Sequence, residues 1–237
     1  MKLTSQVIAA IDGLFNTLNT IGINKVVVEK DRIRAIDDKS VVGIITEDNV
    51  PDLDGKALTT NRVKNLVDRI KLAKAQGDVA ITCTTGSTVD LVMLEIAAGR
   101  FKTQFRCAAS DAIKIPKRLA DKPAYEVTLP ITMIPSIVQA DASMGTDTIT
   151  IASKDGKKVS VELVDATKDV CSFDLETDAV ALDKTGSFCH RYNSKALISL
   201  MREAMKTSGD TLKLTIGGQG ILFIHVNNWE FFTMPQI

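Results

Sequence analysis

Residues 186–237, GSFCHRYNSKALISLMREAMKTSGDTLKLTIGGQGILFIHVNNWEFFTMPQI, read as one strand, one helix and three closing strands. The strand is expected at 186–193 and the helix at 195–208, with Ser194 as the N-cap because its hydroxyl can accept from an early backbone N–H. At about 100° per residue, Leu197, Leu200, Met201, Ala204 and Met205 centre on one side of that helix. Lys195, Arg202 and Lys206 gather on the other side, within roughly 40° of one another. The closing strands are expected at 211–217, 220–226 and 229–235. The glycine cluster IGGQG joins two of them, so it reads as a hairpin turn; a phosphate-cradling loop would lead into a helix and carry a lysine.

Working outward, the same order recurs upstream. In the second half, a strand at 125–129 leads into a helix at 132–144, where Pro135 is tolerable only in the first turn. Strands follow at 147–152, 157–165 and 170–177, with SKDGK supplying an Asp-Gly turn. In the first half, 6–20 places Val7, Ile11, Leu14 and Leu18 on one helical stripe, and 61–75 places Val63, Leu66, Val67, Ile70 and Ala73 on another. Strands are expected at 25–30, 32–37, 40–47, 78–85, 88–97 and 100–108, with TTGST as a hairpin connection. The later helices end about 133 residues apart, at 75 and 208, which implies a duplicated unit of the α+β class. Residues 109–124, ASDAIKIPKRLADKPA, hold two prolines and four basic residues and read as a connector. The expected organisation is a first domain at 1–110, a connector at 111–124 and a second domain at 125–237.

Charge excludes some partners. The 29 basic and 29 acidic residues cancel, so an electrostatic partner must be recognised by a local patch. With 45% hydrophobic residues the chain can bury a core, and no apolar run reaches the roughly 20 residues that span a bilayer. The N-terminus lacks a signal-peptide pattern, so a soluble, cytoplasmic protein is expected. Cys83, Cys107, Cys171 and Cys189 form no CxxC pair and are expected to be core thiols, with no zinc.

Catalysis would need a nucleophile with its base, paired carboxylates or a metal shell, and the sequence offers none. His190 and His225 sit in strands and are expected to be satisfied structural residues. Glu47, Asp48, Asp52 and Asp54 are not spaced as a calcium loop and read as a solvated acidic turn. No cofactor is expected. An enzyme reading would have to rest on His190 with Asp183 or Glu176.

Binding features are clearer. Helix 61–75 carries Arg62, Lys64, Arg69, Lys71 and Lys74, and it matches the basic helix 195–208 in order. Basic faces on equivalent helices of a repeat lie on one surface and would contact phosphates without reading sequence. Strand 100–108 begins with Phe101 and places Lys102, Gln104 and Arg106 on one face, whereas 170–177 carries Phe173, Asp174, Leu175 and Glu176. As edge strands these would pair between different chains, basic against acidic, and propagate head to tail into a closed ring.

Three features together resemble the DNA polymerase sliding clamps: the duplicated units, the basic second helices, and the final stretch LKLTIGGQGILFIHVNNWEFFTMPQI with its Pro235-x-Ile237 ending. The family includes proliferating cell nuclear antigen and the T4-type phage processivity factors. SFCHRYNSKALISLM, with Tyr192 ahead of a helix holding Leu197, also resembles it. The resemblance implies a homotrimeric ring around double-stranded DNA, opened by an ATP-dependent clamp loader and used to tether DNA polymerase. It implies that Arg62, Lys64, Arg69, Lys71, Lys195, Arg202 and Lys206 face phosphates. It further implies that Ile113, Ile115, Leu119, Met234, Pro235 and Ile237 receive hydrophobic partner motifs. Cellular clamps are usually strongly acidic and line their channel with basic residues on every helix. The neutral charge and the sparsely basic early helices here point to a divergent, phage-encoded member acting in the host cytoplasm. A monomeric processivity factor of the same fold is the alternative.

Overall fold

The structure is a computed structural model that describes residues 1–37, 41–46, 50–86, 90–115, 121–176, 178–183, 186–206, 209–226 and 228–236. The chain divides into two compact units, 1–38 with 42–117, and 118–237 with 39–41.

The first unit begins with α1 (Ser5–Ile21). Thr4 caps it by accepting from the Val7 N–H at 3.3 Å, and Gly22 ends it at φ 90°, a left-handed conformation that favours glycine. Its buried stripe is Ile8, Ile11, Phe15 and Leu18, each at most 5% exposed. The stripe is thus turned from the expected one: Val7 and Leu14 flank it half-buried, because the larger Phe15 takes the centre. Strands β1 (Lys25–Val28), β2 (Arg32–Ile36), β3 (Val41–Thr46) and β4 (Leu58–Thr60) follow. All their pairings are antiparallel, in the spatial order β4-β1-β2-β3.

Helix α2 (Val63–Lys74) buries the expected five residues, Val63, Leu66, Val67, Ile70 and Ala73. Its entry is held by the Thr60 hydroxyl, which accepts from the Arg62 N–H at 3.0 Å. It packs against α1 and the following β6 and β7. The unit ends with β5 (Ala80–Thr85), β6 (Leu91–Ala98) and β7 (Phe101–Arg106), a three-stranded antiparallel sheet in chain order. The N-terminal segment completes it: Lys2 bridges Thr82, and the Leu3 N–H donates to the Ile81 carbonyl at 2.9 Å.

The second unit repeats this plan. Strand β8 (Pro123–Pro130) leads through a short 3-10 turn into α3 (Ile134–Met144), with proline at the first helical turn as its sequence requires. Strands β9 (Thr148–Ser153), β10 (Val159–Val164), β11 (Val170–Asp174), β12 (Val180–Ala181) and β13 (Phe188–Asn193) precede α4 (Ser194–Ala204). Strands β14 (Thr211–Gly217), β15 (Leu222–Val226) and β16 (Trp229–Thr233) close it. One sheet runs β11-β10-β9-β13 and corresponds to β3-β2-β1-β4 of the first unit. The run β8-β14-β15-β16 corresponds to the N-terminal bridge followed by β5, β6 and β7, so the duplication read from element order holds at the level of strand pairing.

Asn193, not Ser194, caps α4; its side chain accepts from the Ala196 N–H at 3.1 Å. Ser194 is instead the first helical residue, and its buried hydroxyl donates to the Thr146 carbonyl at 2.6 Å, tying α4 to the turn after α3. Leu197, Leu200, Met201 and Ala204 are fully buried, as their spacing requires, while Met205 is half-buried. No described helix is long and apolar enough to cross a membrane.

Candidate nucleic-acid interface and strand edges

Helices α2 and α4 each carry two free cations, and the geometry is the same on both. Lys64 and Lys71 on α2 are exposed, as are Lys195 and Arg202 on α4, and none has an ion pair among the described residues. Each pair is seven residues apart. At 3.6 residues per turn that spacing returns to one face and separates the two Cα atoms by about 10.5 Å along the axis. Burial of the opposite stripe fixes which way each helix turns, so the cations are presented by packing and not by chance.

The other expected cations are already engaged. The Lys206 ammonium pairs with Glu203 at 2.5 Å, and Lys74 with Asp12 of α1 at 2.6 Å. Arg62 donates to the Arg106 carbonyl at 2.8 Å, and Arg69 donates to the Gln104 carbonyl. Their guanidinium carbons lie 5.0 and 5.4 Å from the ring centre of the buried Phe105. Of the seven residues expected to face phosphates, Arg69 is half-buried and the other six are exposed. Four have no partner among the described residues, and three are held by partners that only the tertiary structure brings near. Helices α1 and α3 contain no lysine or arginine, in agreement with the low basic content expected of the early helices.

Strands β7 and β11 are both terminal in their sheets. The Cys107 N–H points to Val92 on the β6 side at 2.9 Å, so the alternate residues Lys102, Gln104 and Arg106 direct their backbone groups to the open edge. The Leu175 N–H bonds Val159 at 2.9 Å, which leaves Val170, Ser172 and Asp174 facing the open edge of β11. Lys102, Gln104 and Arg106 are exposed, as are Asp174 and Glu176, while Phe101 and Phe173 are half-buried. Lys102 pairs with Glu95 on β6 at 3.0 Å. Beside β11 lies a cleft of about 680 Å³ whose wall includes Asp155, Glu162, Asp174, Glu176 and Asp178 against Lys154 and Lys158. The β11 edge is thus acidic beyond the two residues read from sequence.

The connector is pinned at each end, within its own unit. The buried Arg34 forms an ion pair with Glu29 at 3.0 Å and donates to the Ile115 carbonyl at 2.9 Å. In the second unit, the Asp121 carboxylate accepts from the Gln219 N–H at 3.1 Å and the Ile221 N–H at 3.2 Å, capping the β14–β15 turn. Nothing in the sequence near Asp121 signals this role, because its partners lie about a hundred residues away. Replacing Asp121 with alanine is expected to free this end and raise backbone amide exchange at Gln219 and Ile221 several-fold, read by hydrogen exchange; unchanged exchange would refute the anchor. Of the expected docking residues, Ile113 and Ile115 are buried, Met234 and Pro235 are half-buried, and Leu119 and Ile237 lie outside the described residues. Gln236 bridges Arg191 on β13, its N–H donating at 2.7 Å.

Thiol and histidine positions correct two further expectations. Cys83 is buried with its pKa raised to about 11, and Cys107 is raised to about 12, both chiefly by burial. Cys171 is half-buried, but Cys189 is exposed and is no core thiol, since the even-numbered residues of β13 take the buried and half-buried positions. His225 is likewise exposed, lying 3.7 Å from Glu230 across the β15–β16 hairpin. His190 stacks on Phe188 with ring centres 6.3 Å apart. Glu176 follows the opposite edge strand of the same sheet, three strand spacings or about 14 Å away, so it is not a catalytic partner of His190. Glu47 and Asp48 lie outside the described residues; Asp52 caps its own turn by accepting from the Asp54 N–H at 2.8 Å. No cluster of metal-ligating side chains occurs among the described residues.

The fold is that of the sliding clamps. PCNA from Thermococcus kodakaraensis matches 100% of this chain and 99% of its own, with a TM-score of 0.63 and 16% identity. A. fulgidus PCNA, solved with the C-terminal region of FEN-1 bound, matches 96% of this chain and 95% of its own at a TM-score of 0.63 and 15% identity. The DNA polymerase III subunit beta from Borrelia burgdorferi matches 100% of this chain but 63% of its own, at a TM-score of 0.68 and 10% identity. No family model matches the sequence, and no curated protein does.

Proposed function

We infer from this sliding-clamp fold that the chain is a non-enzymatic processivity factor, three copies of which close into a ring around duplex DNA. The observation that carries the reading is the repetition of one free cation pair on the matching helices α2 and α4. A duplicated unit that keeps two phosphate-binding groups at the same place, in a chain of zero net charge, is built to meet a repeating polyanion. Contacts of that kind hold the backbone without reading bases, which suits a protein that must slide. Two open strand edges support ring closure: β7 presents Lys102 and Arg106, and β11 presents Asp174 within an acidic surround. Their pairing is heterologous, so closure after three copies is a matter of angle.

DNA polymerase is the proposed tethered partner, with an ATP-dependent loader opening the ring in the cytoplasm, where the host's DNA lies if the chain is phage-encoded. The half-buried tail residues Met234 and Pro235, with Ile113 and Ile115 supporting the connector, are the proposed docking region for partner peptides. Binding of a FEN-1 C-terminal region by A. fulgidus PCNA is a property of that protein and motivates the peptide class to try.

Two measurements test the reading. Sedimentation equilibrium is expected to give about 77 kDa, three times 25.7 kDa. A clamp loaded on nicked circular DNA should stay bound at high salt and leave when the circle is linearised. A mass of one chain at micromolar concentration together with equal loss from circles and linear DNA would overturn the ring. The engaged state of the β7 edge is the observation that favours the alternative, a monomer of the same fold binding DNA by one face.

A further inference from the structure

Helices α2 and α4 can be laid over one another residue by residue. Counted from their first residues, Val63 and Ser194, the buried positions coincide: Leu66 with Leu197, Val67 with Ile198, Ile70 with Met201 and Ala73 with Ala204. The same count sets Lys64 against Lys195 and Lys71 against Arg202. Between the two cations the helices differ. Asp68 stands exposed on α2 where α4 has the half-buried Ser199. At about 100° per residue, Asp68 lies roughly 40° from Lys64 and roughly 60° from Lys71, so the three share one face. Spacings of four and three residues put its Cβ about 5–6 Å from theirs. Asp68 has no ion pair among the described residues, so its charge stands open between the two lysines. Ser199 instead donates its hydroxyl to the Lys195 carbonyl at 2.7 Å and adds no charge to its face. Lys74 and Lys206 are each paired with a carboxylate already. The unpaired charges are therefore two cations around one anion on α2, and two cations alone on α4.

We propose that Asp68 tunes the nucleic-acid contact: it offsets one cation of α2, so that each chain holds a phosphate backbone strongly through α4 and lightly through α2. The proposal rests on the reading of these two helices as the DNA-binding face, and it does not depend on ring closure. A phosphate approaching α2 meets a carboxylate placed between the ammonium groups that attract it. The carboxylate repels the phosphate and competes with it for both lysines, so one of the two is withdrawn from the contact. On α4 nothing opposes the approach. The consequence concerns movement. A protein that slides must break its phosphate contacts and remake them at each step, and one lightly held helix per chain lowers that barrier while the other keeps the protein on the duplex.

The test is fluorescence anisotropy with the full chain and a short duplex over a salt series. The reference is the variant with Lys64, Lys71, Lys195 and Arg202 all replaced by glutamine. Asp68→Asn keeps the shape of the side chain and removes its charge. It is expected to bind roughly fivefold more tightly at about 0.15 M salt and to steepen the slope of log K against log salt by about 0.9, the effect of one added phosphate contact. Ser199→Asp should do the reverse on α4, and the two changes together should return the parent's affinity. Because Ser199 is half-buried, thermal melting accompanies each variant, and Asp68→Asn decides the matter where Ser199→Asp melts early. Parental affinity and slope in Asp68→Asn, beside a weakened reference variant, overturn the tuning role alone. A lower melting temperature with parental affinity would assign Asp68 to helix stability and overturn it equally. A reference variant that binds as the parent does overturns the DNA-binding face and the tuning role together.

Discussion

Replacing Lys64, Lys71, Lys195 and Arg202 together with glutamine is expected to lower affinity for duplex DNA by roughly 10³-fold at about 0.15 M salt. The estimate follows from counterion release. Each phosphate contact contributes about 0.9 to the slope of log K against log salt, so four contacts contribute roughly 3.6. At about 0.15 M each contact is then worth between five- and six-fold in affinity, and four multiply to roughly 10³. The four side chains are exposed and have no ion pair among the described residues, so their loss should leave the fold intact. Fluorescence anisotropy over a salt series reads both the affinity and the slope. Neutralising Arg62 and Arg69 should change the slope much less, since both start from carbonyl partners. If the four-residue variant keeps the parent slope, the two helices do not meet phosphates.

Gly156→Ala is expected to cost about 2–5 kcal/mol of stability. Gly156 sits in the β9–β10 turn at φ 73°, where an alanine is strained by roughly 1 kcal/mol or more. Its new Cβ would also press into the backbone carbonyl and nitrogen of Gly186, and backbone cannot rotate aside as a side chain can. The turn has little room to relax: the Asp155 carboxylate accepts from the Lys157 and Lys158 N–H groups at 2.9 Å each, and the Ala179 N–H donates to the Lys157 carbonyl at 2.6 Å. A unit of this size is held by roughly 5–15 kcal/mol, so Tm should fall by at least about 10 °C. The control is Gly13→Ala in α1, where the added Cβ meets nothing within 4 Å and a small gain is expected. An unchanged melt for Gly156→Ala would mean that Gly186 yields.

Local pattern made much of this fold legible. The α2 stripe was readable residue by residue because five apolar positions at helical spacing have no competing arrangement. The α1 stripe was misplaced by one position because Val7 and Ile8, like Leu14 and Phe15, are adjacent apolar residues, and only packing chooses between them. Strand β4 went unread because Leu58, Thr59 and Thr60 are all buried, which leaves no alternation over three residues. The α4 cap slipped because Asn193 and Ser194 are both good caps, and the choice depends on Thr146, which lies in another turn.

The site divided along the same line. Exposure of Lys64, Lys71, Lys195 and Arg202 followed from helix periodicity alone. The engagement of Arg62 and Arg69 depends on the carbonyls of a strand some forty residues on, and no spacing rule announces it. Charge complementarity of the two strands was visible in the sequence, but that both are sheet edges is a property of the topology.

The way each unit is closed by its own first strand has a consequence for synthesis. Lys2 pairs with Thr82, and Pro130 with Thr211, so each unit is sealed by a loop of about eighty residues, 80 in one and 81 in the other. The first seal can form once β5 has left the ribosome. Roughly 120 residues of the second unit are then still unmade, which at about 5–20 residues per second leaves roughly 6–24 s. Folding of a domain of this size takes milliseconds to seconds. The earlier copy can therefore bury its strands before their counterparts exist, and two units of the same topology in one chain avoid exchanging partners as they emerge.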